Sequence, residues 1–423
     1  MMDASHAQKA AFHSKRPTPS NLSVKGLNSF VFFNPDIRGG LTPVLAIYLT
    51  HYLHLDFSKI GVALASLEVS AFISQLPAGY FIDQTNRKTL LIALFSLLNL
   101  VGFLLIFSAY HFIQIILALL MIGFSMAFIA PTVTSITLGL VGKEKFPKRA
   151  AKNEVYNHTG NVLTNILAGL IGLYAGVHWT FLLFMALAGG CLFSIFFINS
   201  QEIDNAAAQG STIEQTKTPP KIELLLRKDI LIFNLSIVLF NIANSSQLFL
   251  ISQLLAVKKP EACSFYLSAC MTISELTIIF MAYFMSRYVN NFMRKSLFLA
   301  AFCIVPTRAF LYLWINNPNL YLVLQILDGM TIGIMGSLCG IIISELAHQT
   351  GSFNFLLGVA AMATNIGIFC SQLIAGFLAQ HFGYSASFLA LILFAVCGIL
   401  VFYFFMPETK KTETQEDNKR SFA

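Results

Sequence analysis

Twelve long apolar segments divide this chain, and each is about as long as a membrane's hydrocarbon core is thick. Of its 423 residues, 56% are hydrophobic and 11% are charged, whereas an average soluble domain is about 25% charged. About 20 apolar residues in a helix span ~30 Å, and a helix satisfies its own backbone in lipid, as an open sheet cannot. We therefore predict twelve transmembrane helices, at 27–50, 58–82, 88–109, 112–141, 155–176, 180–199, 229–256, 263–285, 295–314, 319–344, 355–380 and 384–406.

Lysine and arginine fix the orientation of these helices. With the N-terminus in the cytoplasm, the inner loops and both tails carry most of the 27 basic residues, and the outer loops carry only Lys59, Lys258 and Lys259. The inner loop 345–354 departs from the pattern because it has neither lysine nor arginine. Cytoplasmic loops are generally enriched in these residues, so we predict that both termini are cytoplasmic. The net charge of +7 then reflects membrane insertion and inner-leaflet contact, and not nucleic-acid binding.

The segments fall into two sets of six that resemble each other. The second helix ends in Gly79-Tyr-Phe and is followed by Arg87-Lys-Thr-Leu, while the eighth ends in Ala282-Tyr-Phe and is followed by Arg294-Lys-Ser-Leu. Internal repeats of this kind are typical of secondary transporters. We predict an all-α integral membrane protein with two pseudo-symmetric six-helix bundles. The predicted parts are a tail at 1–26, a bundle at 27–199, a linker at 200–228, a bundle at 229–406 and a tail at 407–423.

Six ionisable residues lie near the middle of apolar segments. A charge at that depth costs at least ~2.5–3.5 kcal/mol, so such residues are usually functional. Four are acidic and two are basic, so two acids remain after pairing; these must be protonated or matched by a solute from outside the chain. We predict that the six couple protons or substrate to transport: Asp36, Arg38, Glu68, Glu275, Arg308 and Asp328.

Asp36 lies in a segment that prolines and glycines are expected to kink, and interrupted helices often mark binding sites. The alternative is a local pair with Arg38 that only shapes the helix, although residues two apart point to different faces. Glu68 and Glu275 occupy similar faces of equivalent helices. Burial disfavours a charged carboxylate, so each could carry a proton, or could be held neutral by a hydrogen bond in a packed interface.

Arg308 belongs to the ninth helix, where we expect it to point inward. Our first interpretation is a structural ion pair with Asp328 or Glu275, and the second is a pair that opens during transport. Amide side chains in the seventh and tenth helices need partners in lipid. They could line a substrate cavity or satisfy backbone groups at a helix break: Asn241, Asn244, Gln247 and Gln325. We attribute Asn153, Glu154 and His158 to capping and solvation at the start of the fifth helix.

The loop between the second and third helices contains Gly79, Asp83, Asn86, Arg87 and Lys88. This loop, with twelve helices arranged as six plus six, resembles the major facilitator superfamily, with asparagine in place of the second glycine of the family's pattern. The resemblance implies alternating access. It also implies a conformational latch formed by Gly79, Asp83, Arg87 and Lys88, with Asp83 facing the N-terminal end of the eleventh helix. Alternatively, Arg87 and Lys88 are only topology signals.

Other segments are similar to a bacterial branch of uncharacterised or drug- and siderophore-efflux-like members: Asp36-x-Arg38-Gly-Gly-Leu-x-Pro43, Leu138-Gly-Leu-Val-Gly142, Gly160-Asn161 and Gln325-x-Leu-Asp328-Gly329. Two features of the branch's drug antiporters are missing. Leu119 stands where they carry an arginine, and the glycines of the fifth helix, Gly169, Gly172 and Gly176, occur without a following proline.

Together these features predict a monomeric, multi-pass transporter of the bacterial inner (plasma) membrane that uses a proton gradient to move a small polar or amphipathic solute. Export of a drug- or siderophore-like compound is our first interpretation, and import of a nutrient or iron chelate is the second. A transporter-like receptor that moves nothing is the third. The sequence has no nucleotide-binding loop and no cysteine pattern for a metal, so we expect neither an enzyme nor a cofactor. The expected partners are the solute, protons and lipid, with no nucleic acid.

Overall fold

A computed structural model describes residues 19–34, 40–208, 225–315, 317–346 and 353–409. These residues form helices and connections, and none of them belongs to a strand. Short 3-10 turns lie at Val177–Trp179, Ser200–Glu202, Pro260–Ala262 and Val289–Asn291. The α-helices are α1 (Asn21–Phe33), α2 (Thr42–His51), α3 (Phe57–Gln84), α4 (Lys88–Phe107), α5 (Phe112–Tyr174), α6 (Thr180–Ile195), α7 (Asn205–Ala208), α8 (Lys228–Asn244), α9 (Gln247–Lys258), α10 (Cys263–Tyr288), α11 (Arg294–Trp314), α12 (Pro318–Leu346), α13 (Phe353–Phe382) and α14 (Tyr384–Phe405).

Ten stretches of the described residues are long and apolar enough to cross a membrane. The two remaining predicted spans are the first, which the structure describes in two pieces as α1 and α2, and the fifth, which is the second part of α5. The architecture is therefore the all-helical membrane fold that the sequence predicts. The predicted domain boundaries remain predictions.

The long helix α5 contains the fourth and fifth predicted spans. They are joined at Gly142, whose backbone has φ +74° and ψ 169°, a conformation that glycine adopts without steric cost. The helix resumes directly after this glycine, so the predicted start of the fifth helix at 155 is wrong. Hydropathy detects only the apolar part of a helix, and residues 143–154 form a polar helical extension beyond it.

Each half begins with an interrupted helix. In the first half, α1 ends at Phe33 and α2 begins at Thr42; in the second, α8 ends at Asn244 and α9 begins at Gln247. The backbone groups released by the second break find partners on α13. Ser371 accepts from the backbone N–H of Ser246 at 3.2 Å and donates to the carbonyl of Ile242 at 2.6 Å. These hydrogen bonds satisfy backbone groups at the break, so the interrupted helix is stable inside the protein.

The packing of apolar side chains shows which end of the molecule is closed. One hydrophobic cluster contains the outer ends of helices from both halves, including α2, α3, α9 and α13. At the inner ends the two halves have separate clusters, one from residues 27–208 and the other from residues 230–406. The halves are therefore sealed on the outer side and parted on the lysine- and arginine-rich inner side.

The first residues of the predicted linker pack against the first half. Asp204 donates its backbone N–H to the carbonyl of Gly139 at 3.2 Å, and Ser135 donates its hydroxyl to the carbonyl of Ala208 at 2.9 Å. Glu202 accepts from the backbone N–H of Ser20 at 2.9 Å. Residues 200–208 therefore hold the start of α1 and the part of α5 just before Gly142. The rest of the predicted linker up to 224 lies outside the described residues.

Candidate functional site

A cavity of about 680 Å³ lies between the two halves, within the size range of small-molecule sites. Helices α2, α3, α5, α8, α9, α10, α12 and α13 contribute to its wall, together with Asn34 after α1 and Asn99 of α4. The described residues of α6, α11 and α14 do not line it. Its charged and amide-bearing lining residues are Asn34, Glu68, Asn99, Asn157, Asn161, Asn165, Asn241, Asn244, Glu275, Asp328 and Gln372, with the imidazole of His158 beside them.

Glu275 connects the two halves inside this cavity. One of its carboxylate oxygens, Oε2, lies 2.8 Å from Nδ1 of His158, which α5 supplies from the other half. The second oxygen, Oε1, accepts from Nδ2 of Asn161 at 3.4 Å. Glu275 is 7% exposed. The pair can hold a proton on either the imidazole or the carboxylate, so it has the chemistry of a proton site.

His158 also lies near a second carboxylate. Its Nε2 is 3.9 Å from Oε2 of Glu154, one helical turn earlier and largely exposed. The attribution of His158 to capping and solvation is wrong, because the helix continues on both sides of it and its ring faces Glu275. No sequence signal pairs these two residues, which are 117 positions apart.

A second polar cluster surrounds Arg308. Its Nη1 donates to Asp328, its Nε donates to Gln247 at 2.8 Å and its Nη2 donates to Asn244 at 3.0 Å. Ser274 completes the cluster by donating to the other oxygen of Asp328 at 2.7 Å. Arg308 thus pairs with Asp328 and not with Glu275. A buried guanidinium with three acceptors is the arrangement that such a charge requires.

Glu68 lies in the cavity wall and is 1% exposed. Asp36 and Arg38, the other two predicted coupling residues of the first half, lie outside the described residues. Of the six ionisable residues, Glu68, Glu275 and Asp328 therefore share one cavity. Arg308 contacts this cavity only through Asp328 and Asn244.

Two of the four amide residues predicted to line a substrate cavity lie in the wall of this cavity. Asn241 and Asn244 line the cavity. Gln247 does not, because it is fully buried behind Arg308 and donates to the carbonyls of Ala243 and Val305 at 3.0 and 3.2 Å. It therefore satisfies backbone at the helix break, which is the alternative that the sequence left open.

Gln325 also lies away from the cavity. It donates to the hydroxyl of Tyr312 at 2.8 Å on the side of α12 that faces α11. The glycines that follow Gln325 along α12 differ in how closely other helices approach them. Gly329 and Gly333 press against α10, where a Cβ would lie 2.4 Å from Ser274 O and 2.6 Å from Met281 Cβ. Gly336 has open space around it and lines the cavity.

The structure describes only part of the predicted latch, which stays a prediction. A Cβ at Gly79 would meet nothing within 4 Å among the described residues. Arg87 is exposed. Lys88 is buried and donates its ammonium to the carbonyls of Ile82 and Thr85 at 2.8 and 3.1 Å, which caps the end of α3. The side chain of Asp83 lies outside the described part of the structure.

Several direct contacts between the halves lie at the outer end. Thr50 of α2 donates to Gln253 of α9 at 2.6 Å, and Gln380 of α13 accepts from the backbone N–H of Phe57 at 2.9 Å. Gly61 packs so tightly on α13 that a Cβ would lie 2.7 Å from Gln372 O. The outer seal is thus made of apolar packing and neutral hydrogen bonds.

The family model described as the Major Facilitator Superfamily matches residues 27–356 and 261–422. An uncharacterised MFS-type transporter of Mycobacterium tuberculosis, found in strains CDC 1551 and H37Rv, is 30% identical over 400 residues; these cover 92% of this chain and 94% of that protein.

Two solved structures share the fold. A crystal structure of a mutant of the nucleoside transporter NupG has a TM-score of 0.76 at 16% identity and covers 92% of this chain and 100% of that one. A D-xylose-proton symporter has a TM-score of 0.73 at 14% identity and covers 92% and 98%.

Proposed function

The chain belongs to the major facilitator superfamily, and we propose that it is a proton-coupled secondary transporter that moves a small polar or amphipathic solute across the inner membrane by alternating access. The family and the matched relatives are transporters, and the chain is not an enzyme. The observation that carries the proposal is the pair of Glu275 and His158, which joins the two halves at 2.8 Å inside their shared cavity.

This pair supports proton coupling for a physical reason. A carboxylate inside a membrane protein is costly to keep charged, and its charge here is compensated by groups that belong to the opposite half. When the halves move, this compensation changes, so the affinity of Glu275 for a proton must change with conformation. A group whose proton affinity depends on conformation links a proton gradient to the movement of the halves.

The sequence-based prediction counted two surplus acids, and two contacts in the structure bear on which acids these are. Asp328 is paired with Arg308, and Glu275 faces a histidine that can itself take up a proton. We propose that Glu275 and His158 exchange protons with the cytoplasm, that Glu68 and Asp36 assist from the first half, and that the Arg308–Asp328 pair is structural.

Transport in proteoliposomes with and without a pH gradient tests the proposal. The wild type should accumulate solute only with the gradient, while counterflow, which needs no net proton movement, should proceed without it. Glu275→Gln should lose gradient-driven accumulation by about tenfold or more and keep counterflow, because the amide cannot carry the proton. Asp36→Asn should reduce transport and leave membrane insertion intact. Wild-type accumulation that ignores the gradient would contradict the proposal.

Two directions are compatible with this coupling. Export of a drug- or siderophore-like compound is the interpretation that the sequence segments favour. Import is the second, and the structural similarity to a D-xylose-proton symporter favours it. The sign of the gradient that drives accumulation in oriented vesicles distinguishes them.

A further inference from the structure

Four asparagines follow one another at four-residue intervals along α5: Asn153, Asn157, Asn161 and Asn165. Residues four apart lie on nearly the same helix face, so they form one stripe, which we call the asparagine ladder. Its last three members line the cavity, and Asn153 donates to Thr137 at the inner end at 3.0 Å. Four residues beyond the ladder, Gly169 packs so closely on α10 that a Cβ would lie 2.5 Å from Ser268. The ladder therefore follows the cavity from its inner mouth to the seal.

Two further amides in the cavity wall have an acceptor oxygen that no donor reaches in the described part of the chain. These are Oδ1 of Asn99 and Oε1 of Gln372, on residues that are 3% and 5% exposed. A buried acceptor without a partner costs about 1–3 kcal/mol. Native proteins rarely keep such groups without a role. Both residues line the cavity, but these two oxygen atoms are themselves buried, so a solute with O–H or N–H donors satisfies them only if the side chains turn towards it.

The charges of the described lining argue against an anionic solute. The lining contains the acidic residues Glu68, Glu275 and Asp328 and, among the described residues, neither lysine nor arginine. Arg308, which pairs with Asp328 in the cavity wall, already gives its donors to Asp328, Gln247 and Asn244. An anion would lose its hydration and face carboxylates at low dielectric. A cationic solute would gain less electrostatic stabilisation than three acidic residues suggest, because His158 and Arg308 already compensate two of them.

We infer that the solute is uncharged and carries several hydroxyl or amide groups, as a sugar or a nucleoside does, and that the asparagine ladder is its main hydrogen-bonding surface. Carboxamides offer both donors and acceptors and so match such groups in either sense. Phe240, Phe249 and Met271 provide the apolar lining that the carbon faces of such a ring need. This inference rests on the proposed transport function and specifies its substrate class.

The test uses the purified full chain in lipid nanodiscs and chemically matched probes. Thermal shift is measured with D-glucose, D-gluconate and glucose 6-phosphate, and with uridine and uridine 5′-monophosphate. At least one uncharged probe should raise the Tm, and its charged counterparts should bind at least about tenfold more weakly. Asn161→Ala and Asn165→Ala should weaken that binding about fivefold or more, as expected for one hydrogen bond each. Thr159→Val, on the exposed face of the same helix, should bind like the wild type.

Each contrary outcome bears on a defined part of the inference. Preferential binding of gluconate or a phosphate ester, or the absence of any shift with both uncharged probes, would overturn the substrate class. Equal binding by the wild type and both ladder variants would overturn the role of the ladder. Gradient-driven transport of an anion would refute the inference and leave the proposed function intact. Transport of an uncharged solute at a rate that does not depend on the pH gradient would refute the proposed function and leave the inference intact.

Discussion

The buried charges of this protein are organised into two clusters that differ in one respect. Arg308 and Asp328 both belong to the second half and have a nearly complete set of partners there. Glu275, in contrast, takes its compensation from His158 and Asn161 of the first half. A cluster within one half can stay intact while the halves move, and a cluster across the two halves cannot. This difference is why we assign structure to the first and proton coupling to the second.

Removing one member of the buried ion pair should be far more harmful than removing both. Arg308→Met leaves the carboxylate of Asp328 buried without its cation, and we expect a loss of stability of about 3–5 kcal/mol. The double variant Arg308→Met/Asp328→Asn should recover most of this lost stability. Thermal unfolding in nanodiscs of the two single variants and the double variant measures this coupling. Additive effects of the two changes would show that the pair contributes little.

Sequence patterns identified most of the charged residues of the site and missed its histidine. An acid in an apolar segment stands out on its own, so Glu68, Glu275 and Asp328 were found. His158 lies three positions inside the predicted fifth helix, where a hydropathy boundary at 155 places it at the surface. Its partner is 117 residues away, and such a contact depends on how two helices pack. The four-residue repeat of asparagines was readable in the sequence but indicates a site only once α5 is known to face the cavity.

At the scale of elements, α5 does most to shape the cavity. It carries the break at Gly142, the asparagine ladder and His158. It also provides the closest approach to α1, because a Cβ at Gly160 would lie 2.0 Å from Phe32 O. The three atoms nearest to this Cβ position belong to the backbone of Phe32, which cannot move aside as the end of a flexible side chain can. The prolines and glycines of the first helix predicted a kink there, and a break in the seventh helix was one of two interpretations of its amides. The sequence could not predict that α5 continues as a helix through the polar residues 143–154.

A methyl group at Gly160 should therefore separate α1 from α5. We expect Gly160→Ala to lower stability by about 1–3 kcal/mol, as overpacking does, despite the better helix propensity of alanine. Gly189→Ala is the matched control, since a Cβ there meets nothing within 4 Å, and it should be neutral or stabilising by up to ~1 kcal/mol. Thermal unfolding of both variants gives the comparison, and an equal effect of the two changes would rule out the close contact.

The inner end of α1 should respond to pH through Glu202. The backbone N–H of Ser20 holds the pKa of Glu202 below its ordinary value, against the opposing effect of burial and with help from the side chains of Ser23, Ser20 and Asn199. A carboxyl group whose pKa is lowered in the folded state stabilises the fold at pH values above its unfolded pKa of about 4.3. This stabilisation is lost as the pH falls through the folded pKa. The Tm difference between wild type and Glu202→Gln should be constant near neutral pH and shrink below about pH 4.3. A difference that stays constant down to pH 3 would contradict this account.

At the scale of the whole molecule, the structure is closed outside and parted inside. The outer ends share one hydrophobic cluster, whereas the inner ends have two. The outer seal between α3 and α13 depends on Gly61 and Gly376, since a Cβ at Gly61 would lie 3.2 Å from Gly376 Cα. The family's fold could be predicted from helix count and charge. Which of its conformations this chain adopts could not, because no pattern along the chain reports how two halves pack.

A bulky residue at Gly61 should act as a wedge in the outer seal. We expect Gly61→Leu to shift the population towards the outward-open arrangement, because only that arrangement separates α3 from α13. Spin labels at Lys59 and Glu261, one in each half on the outer side, should then report longer distances. Val62→Leu, on the lipid-exposed side of the same helix turn, is the control and should leave them unchanged. An unchanged distance in Gly61→Leu would show that the seal lies elsewhere.

The central claim is that protons on the cavity carboxyls and the movement of the two halves are one coupled equilibrium. Electron–electron distance measurements in nanodiscs test it without a known solute, using Lys145 with Phe292 across the inner mouth and Lys59 with Glu261 across the outer one. Between about pH 5.5 and 8, where histidine titrates, the two distances should change in opposite directions. Glu275→Gln should abolish the change. Wild-type distances that do not depend on pH, or a Glu275→Gln variant that responds like the wild type, would contradict the account.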